Sequence, residues 1–272
     1  MTSHVAVLSD IHGVLPALEA VLAEPDVRAA DRIVLTGDLA AGPLPVETLD
    51  ALEALGERAL WIRGNADREL AEARPTGDPV TDWAAGRVSA AQRERLAALP
   101  LTAELDVAGL GRVLFCHATP RDDAEVVLVD SRTERWTEVT AGLDAGVGTV
   151  VCGHTHVPFT RVVHGRTVVN PGSVGMPYGR AGAHWALLGP GITLRRTPYD
   201  YAAARARIAA ASSFPDADAW AEEYVHARSS AEDALAAFGP RDGRCDGQRE
   251  GRRASPSQRA RSAQYWARSV PM

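Results

Sequence analysis

The sequence predicts an α/β fold, and three observations carry the prediction. Short apolar runs each end in a polar cluster, leucines recur at helical spacing between the first of these runs, and later runs pair around glycine turns. The first runs, at 5–8, 33–35 and 60–62, lead into Ser9-Asp10, Gly37-Asp38 and Gly64-Asn65. Leu15, Leu18 and Leu22, then Leu49, Leu52 and Leu55, mark a helix in each gap, with Pro43 and Pro45 at the entry to the second. Strands linked by helices in this β-α-β-α-β order lie parallel, and ligands gather beyond their carboxyl ends.

The rhythm then changes. Trp83, Val88 and Leu96 predict one helical segment over 82–99, ended by Pro100, and the stretch from 74 to 99 is expected to overhang a cleft. Runs at 105–107 and 112–115 flank Ala108-Gly109-Leu110-Gly111, and runs at 159–163 and 167–169 flank His164-Gly165-Arg166; both read as antiparallel hairpins. Strands follow at 185–188 and 192–194, and helices at 199–211 and 217–227. Runs at 114–116 and 150–152 also end in polar clusters. The sum is an α/β body with a second, more antiparallel sheet and no internal repeat.

With 272 residues, 46% hydrophobic and 24% charged, the chain can close a sizeable core, which excludes disorder throughout. Its apolar runs, such as 147–152, fall far short of the roughly 18 residues of a membrane-spanning helix, so no membrane association is expected. The first residues lack a basic region, an apolar signal core and a cleavage site. Cys116, Cys152 and Cys245 are too few, and odd in number, for a disulfide framework, so a cytoplasmic location is expected.

Charge divides the chain. All 29 basic residues are arginine; eight follow Phe238 against three acids, giving that stretch +5 and the remainder −11. The expected organisation is one domain over 1–238 and a disordered Arg/Gly/Ser-rich tail over 239–272. The tail reads as a solvated extension in preference to an electrostatic arm, and the acidic body argues against nucleic acid as a partner.

The polar clusters carry the chemistry. In order they offer Asp10 and His12, Asp38, Asn65 and Asp67, His117, and His154 with His156. Carboxylate, imidazole and amide oxygen suit divalent Mn, Fe, Ni, Co or Zn in a catalytic site, whereas structural zinc favours thiolates. In extended backbone, residues two apart point to one side, so Asp10 with His12, and His154 with His156, would each aim a pair at one place. Gly37, Gly64 and Gly153 precede ligands where the chain must bend sharply or approach closely. A single Asp at a strand end usually caps a helix or turn. Five such clusters at five strand ends point instead to a shared site. His4, His164, His184 and His226 fit ordinary structural roles, and Cys116 reads as a small buried residue.

Asp-x-His, Gly-Asp, Gly-Asn-x-Asp, His and Gly-His-x-His in this order resemble the calcineurin-like metallophosphoesterase superfamily. The phrases Asp10-Ile11-His12-Gly13, Cys152-Gly153-His154-Thr155-His156 and Asn170-Pro171-Gly172-Ser173-Val174-Gly175 are similar to its small prokaryotic phosphodiesterase branch, and the likeness covers residues 4 to 200. The resemblance implies a four-layer α/β/β/α sandwich of two mixed sheets with a dinuclear metal site at the strand carboxyl ends. It implies two divalent metal ions, manganese foremost, with Asp10, His12 and His156 on the first, Asn65, His117 and His154 on the second, and Asp38, with its two oxygens, on both. The implied activity is hydrolysis of a small-molecule phosphate ester, a diester in this branch, by a metal-bridging hydroxide. The alternatives are a phosphomonoesterase or dinucleoside-polyphosphate hydrolase on the same site, and a metal-binding protein-interaction scaffold without turnover.

Many superfamily members place a histidine after the Gly-Asn pair to help protonate the leaving group; here that position is Ala66. Asp67 is expected to serve catalysis by accepting a hydrogen bond that orients a ligand or the site loop, with a helix-capping role as the alternative. Arg121 is placed to reach a phosphate, or else pairs with Asp122 or Asp123. Asn170 and Ser173 lie in a turn able to present donors to the substrate, or serve that turn alone. Neither Ser9 nor Ser173 has partners that make a catalytic triad compelling.

Overall fold

Strand alternation divides the apolar runs between two packing surfaces. In strand β1 (Val5–Leu8), Val5 and Val7 face one way, Ala6 and Leu8 the other, and all four are completely buried. A strand buried on both faces reads as a continuous apolar run, as here. The computed structural model describes residues 1–243. After β1 come helices α1 (Leu15–Leu22) and α2 (Pro25–Ala29), β2 (Arg32–Leu35), α3 (Pro45–Glu53), β3 (Ala59–Trp61), α4 (Asn65–Glu72), α5 (Pro79–Ala85) and α6 (Ala90–Ala97). The chain continues through β4 (Thr102–Val107), β5 (Gly111–Cys116), α7 (Thr133–Val139), β6 (Val147–Val151), β7 (Phe159–Val163), β8 (Arg166–Asn170), β9 (Ala183–Leu188) and β10 (Ile192–Thr197). It closes with α8 (Tyr201–Ala211), α9 (Ala217–Tyr224), α10 (Ala231–Phe238) and a 3-10 turn, Gly239–Arg241.

The strands form two five-stranded mixed sheets, ordered β10-β9-β1-β2-β3 and β4-β5-β6-β8-β7. Val5, Val7 and Val34 of the first meet Val113, Phe115, Val151 and Val169 of the second in an apolar layer between the sheets. The other face of the first sheet packs Leu8, Ile33 and Leu35 against Leu18 of α1 and Leu49 and Leu52 of α3. The other face of the second packs Leu114, Val150 and Val168 against Trp136 and Val139 of α7. The result is the four-layer α/β/β/α sandwich. Phe115 is fully buried between the sheets, and its truncation to alanine costs about 3–5 kcal/mol.

Two expectations are corrected. Strands β9 and β10 belong to the first sheet, where β9 runs antiparallel to β1, and the middle of the second sheet, β5-β6-β8, is parallel. The helix expected over 82–99 is two helices. Ser89 caps α6 by accepting from Gln92 N while the Gln92 side chain accepts from Ser89 N, a reciprocal arrangement that starts a new helix. The described residues end in the 3-10 turn Gly239–Arg241 and the two residues after it, of which Asp242 is 2% exposed. The tail expectation for 244–272 lies outside the described residues. No helix among the described residues is long and apolar enough to cross a membrane.

Candidate metal centre

The carboxyl ends of the parallel strands of both sheets open onto one place. The first sheet brings Asp10 and His12 after β1, Asp38 after β2 and Asn65 after β3; the second brings His117 after β5, and His154 and His156 after β6. Backbone bonds join the two sets: His154 N donates to Asp10 Oδ2 at 3.1 Å and Val174 N to Ser9 O at 2.9 Å.

The loops converge by left-handed backbone, where alternation along extended chain was expected. Asp10, His12, Asp38, His154 and His156 have φ between 48° and 65°. Side chains other than glycine rarely adopt this region, though Asp and His are among those that do, and such strain gathers at functional sites. At Gly153 the constraint is close approach: an added Cβ would stand 2.0 Å from Ser9 Oγ and 2.6 Å from Asp10 Oδ2.

Two triads result. Asp10, His12 and His156 offer ligand atoms within 4.8 Å of one another, as do Asp38, His117 and His154, and all six residues are buried. In the first, His156 Nε2 lies 3.2 Å from His12 Nε2 and 3.1 Å from Asp10 Oδ1. His12 Nδ1 donates to Ala41 O and His156 Nδ1 to Met176 O, because a carbonyl can only accept. Both rings therefore turn Nε2 inward, where the two nitrogens converge with Asp10 Oδ1. Two nitrogens bound to one ion at about 2.1 Å sit roughly this far apart, so the donor set fits a divalent cation. His117 Nδ1 likewise donates to Thr36 O at 2.8 Å.

Asp38 lies between the triads. Its Oδ2 is 3.7 Å from His12 Nε2 and 3.4 Å from His117 Nε2, while Oδ1 accepts from Ala66 N at 2.8 Å. One oxygen therefore faces both triads, where one oxygen for each was the simpler expectation. Asp10 Oδ1, Asn65 Oδ1, His117 Nε2 and His154 Nε2 are buried without a hydrogen-bond partner. Buried polar atoms are normally satisfied, and four orphans pointing to one locus are what a metal-free pair of cation sites presents.

The electrostatics agree. Burial, helped by the neighbouring His117, lowers His154 to about 3 and keeps it neutral. His117 is raised to about 10: burial opposes its charge, but the Asp38 carboxylate outweighs it, so a cation entering here displaces a proton.

Asp67 is completely buried. Its Oδ2 accepts from Asp38 N and Gly64 N and its Oδ1 from Leu39 N, all at 2.8–2.9 Å. It caps α4 and fixes the Asp38 loop, and burial with the nearby Asp38 charge raises its carboxyl to about 7. Asn170 is turned away from solvent: Nδ2 donates to Gly153 O at 2.7 Å, and Oδ1 accepts from Gly172 N. Ser173 Oγ donates to Asp10 O and accepts from Met176 N. Both hold the loops that carry ligands, and neither faces the cleft. Arg121 is held elsewhere too, paired with Glu125 and Glu138 in place of Asp122 or Asp123.

Above the triads lies a cleft of about 270 Å³ whose lining includes His12, Asp38, Asn65 and His154. Its walls include Arg68 and Glu69 from α4, Trp220 and Tyr224 from α9, and Arg241, none of which the sequence had marked, together with Asp78, Val80 and Thr81 at the start of α5. Val80 and Thr81 agree with the expected overhang from residues 74–99. Burial raises the Glu69 carboxyl to about 7.

Comparison with known proteins adds three findings. The family model described as the calcineurin-like phosphoesterase superfamily domain matches residues 4–189. An uncharacterised protein of Methanocaldococcus jannaschii is 27% identical over 201 residues, 64% of this chain and 77% of that one. Two crystal structures share the fold. A metallophosphoesterase from Sphaerobacter thermophilus matches with a TM-score of 0.62 and 24% identity, over 78% of this chain and 94% of the other. A hypothetical protein from Pyrococcus horikoshii matches with a TM-score of 0.69 and 22% identity, over 84% and 100%.

Proposed function

Because this chain belongs to the calcineurin-like phosphoesterase superfamily, we propose that it is a metal-dependent phosphodiesterase working with two divalent cations, manganese foremost. The observation that carries this reading is the pair of buried triads meeting at Asp38 Oδ2. Asp10, His12 and His156 would hold one cation and Asn65, His117 and His154 the other, with Asp38 placed to serve both. When bound, such a pair supplies Lewis acidity to phosphate oxygens and lowers the pKa of the attacking water.

The chain's own residues orient these groups. Carbonyls of Ala41, Thr36 and Met176 fix three imidazoles with Nε2 inward, which sets tautomer and ring direction together. Asp67 is a positioning residue, holding Asp38 through the backbone. Ala66 turns a methyl group to the cleft and has no proton to give. Esters whose leaving groups depart without protonation are therefore favoured, and activated diesters are the expected substrates. The free thiols of Cys116 and Cys152 suit a reducing, cytoplasmic setting.

The test is hydrolysis of bis-p-nitrophenyl phosphate against p-nitrophenyl phosphate by metal-stripped protein, with Mn, Fe, Ni, Co, Zn or Mg restored singly and His154→Ala as control. Diesterase activity restored by metal and lost in the variant supports the reading. Preference for the monoester replaces it with a phosphomonoesterase. Stoichiometric metal binding without turnover points to a scaffold.

A further inference from the structure

The matched family domain ends at residue 189, yet three residues beyond it, Trp220, Tyr224 and Arg241, line the cleft beside the metal-competent triads. The cleft is thus completed by residues outside the matched family domain. Of the side chains that line the cleft among the described residues, two are arginines, Arg68 and Arg241. They differ in what they have left to offer. Arg68 points both Nε and Nη2 at Asp123, each with a bond of 3.0 Å, so its fork is taken. Arg241 donates one hydrogen bond, from Nη2 to Ala124 O at 3.1 Å, and has no ion-pair partner among the described residues.

Arg241 is also held in place from both sides. Phe238 sets its ring edge-on to His154, with centroids 5.8 Å apart. On the other side Asp242 is 2% exposed and accepts from Ser131 Oγ at 2.5 Å, while Ser131 Oγ accepts in turn from Leu128 N. The anchored backbone and the Ala124 carbonyl restrict the guanidinium, leaving donors uncommitted at the edge of the cleft. Arg241 makes no direct ion pair among the described residues, though the charges of Glu69 and Asp122 act on it from nearby, so it keeps donors for an anion over the metal-competent floor, and a guanidinium matches phosphate oxygens with two parallel bonds.

We propose that Arg241 is the phosphate-positioning residue of this site, and that the C-terminal segment of α10 and the following turn is a substrate-binding element. The inference rests on the phosphoesterase reading for its substrate. It assigns to Arg241 the contact that sequence position suggested for Arg121. The phosphate is placed with one side toward His12, Asp38 and His154 and the other toward Arg241, and the ester group lies along Met176, Trp220 and Tyr224.

The test uses the full chain loaded with Mn2+ and reads inorganic phosphate binding by calorimetry, alongside KM and kcat for bis-p-nitrophenyl phosphate. Losing a charge-assisted bidentate contact should weaken phosphate about tenfold or more in Arg241→Ala, raising KM more than it lowers kcat. Arg241→Lys keeps the charge and loses the fork, so it should fall between wild type and alanine. Metal content by elemental analysis and the thermal midpoint should match wild type in both variants, as they should in the exposed control Arg207→Ala, which should also keep its phosphate affinity. Phosphate affinity within twofold of wild type in Arg241→Ala overturns the inference, as does a loss explained by lowered metal content. Wild-type protein that binds phosphate through Arg241 but hydrolyses no ester with any metal refutes the phosphodiesterase reading and leaves Arg241 standing.

Discussion

His12 Nε2 and His156 Nε2 face each other across 3.2 Å, each ring having committed its Nδ1 proton to a backbone carbonyl. A divalent cation placed between them would take both nitrogens as ligands. Metal should therefore stabilise the native chain, by about 2.7 kcal/mol at one hundred times its dissociation constant. Elemental analysis should find two ions per chain in wild type and one in His156→Ala, whose melting temperature should respond less to added Mn2+.

Ala66 leaves the cleft without the usual proton donor at that position. Rates for a series of aryl phosphodiesters should fall steeply as leaving-group pKa rises, since general-acid help worth about 10²–10⁴ in rate is missing there. Flat rates across the series, with chemistry shown to limit turnover, would sink this expectation.

An added methyl at Gly153 collides with Ser9 Oγ and Asp10 Oδ2. Gly153→Ala should cost about 1–3 kcal/mol of stability, as overpacking does, and weaken metal binding by moving Asp10. Urea unfolding of the metal-free protein isolates the first effect, and metal titration reads the second.

Glu125 accepts from Arg121, Thr119 and Arg135, and the Arg121 bond foremost holds its carboxyl at about 2. Its folded pKa lies below the unfolded value near 4.5, so its contribution is complete above pH 4.5 and disappears as pH falls toward 2. The stability gap between wild type and Glu125→Gln should therefore be larger at pH 6 than at pH 2.5. Screening at this partly exposed pair limits it to about 1 kcal/mol or less.

Cys116 and Cys152 are buried, and burial pushes the Cys152 thiol up to about 12 and raises Cys116 as well. Thiolate is the reactive form. Peptide mapping after brief iodoacetamide treatment should find both unmodified in native protein and both alkylated in denaturant.

The metal-competent residues were legible because they interrupt apolar runs: Asp10, Asp38, His117 and His154 stand where strands end, and a strand end in an α/β sheet is a position the sequence marks. Side-chain direction was less legible. Asp10 and His12 converge through left-handed turns, a local backbone state that spacing alone cannot reveal. Arg121 sits close to His117 in sequence and turns away to Glu125 and Glu138, whereas Arg241, more than a hundred residues on, lines the cleft. That exchange depends on how α8, α9 and α10 pack back across the first half, which is long-range information. The assignment of β9 and β10 to the first sheet was hidden for the same reason. The break before α6, by contrast, was written in Ser89-x-x-Gln92.

Neither triad belongs to one sheet. Asp10 and His12 come from the first and His156 from the second; Asp38 comes from the first, His117 and His154 from the second. Each captured ion would thus be a rivet driven through the seam of the sandwich, resisting any sliding of one sheet over the other. Mechanical resistance of the domain becomes a reporter of occupancy: pulled apart along that seam, loaded protein should yield at higher force than stripped protein, even though no metal touches the apolar layer that glues the sheets together.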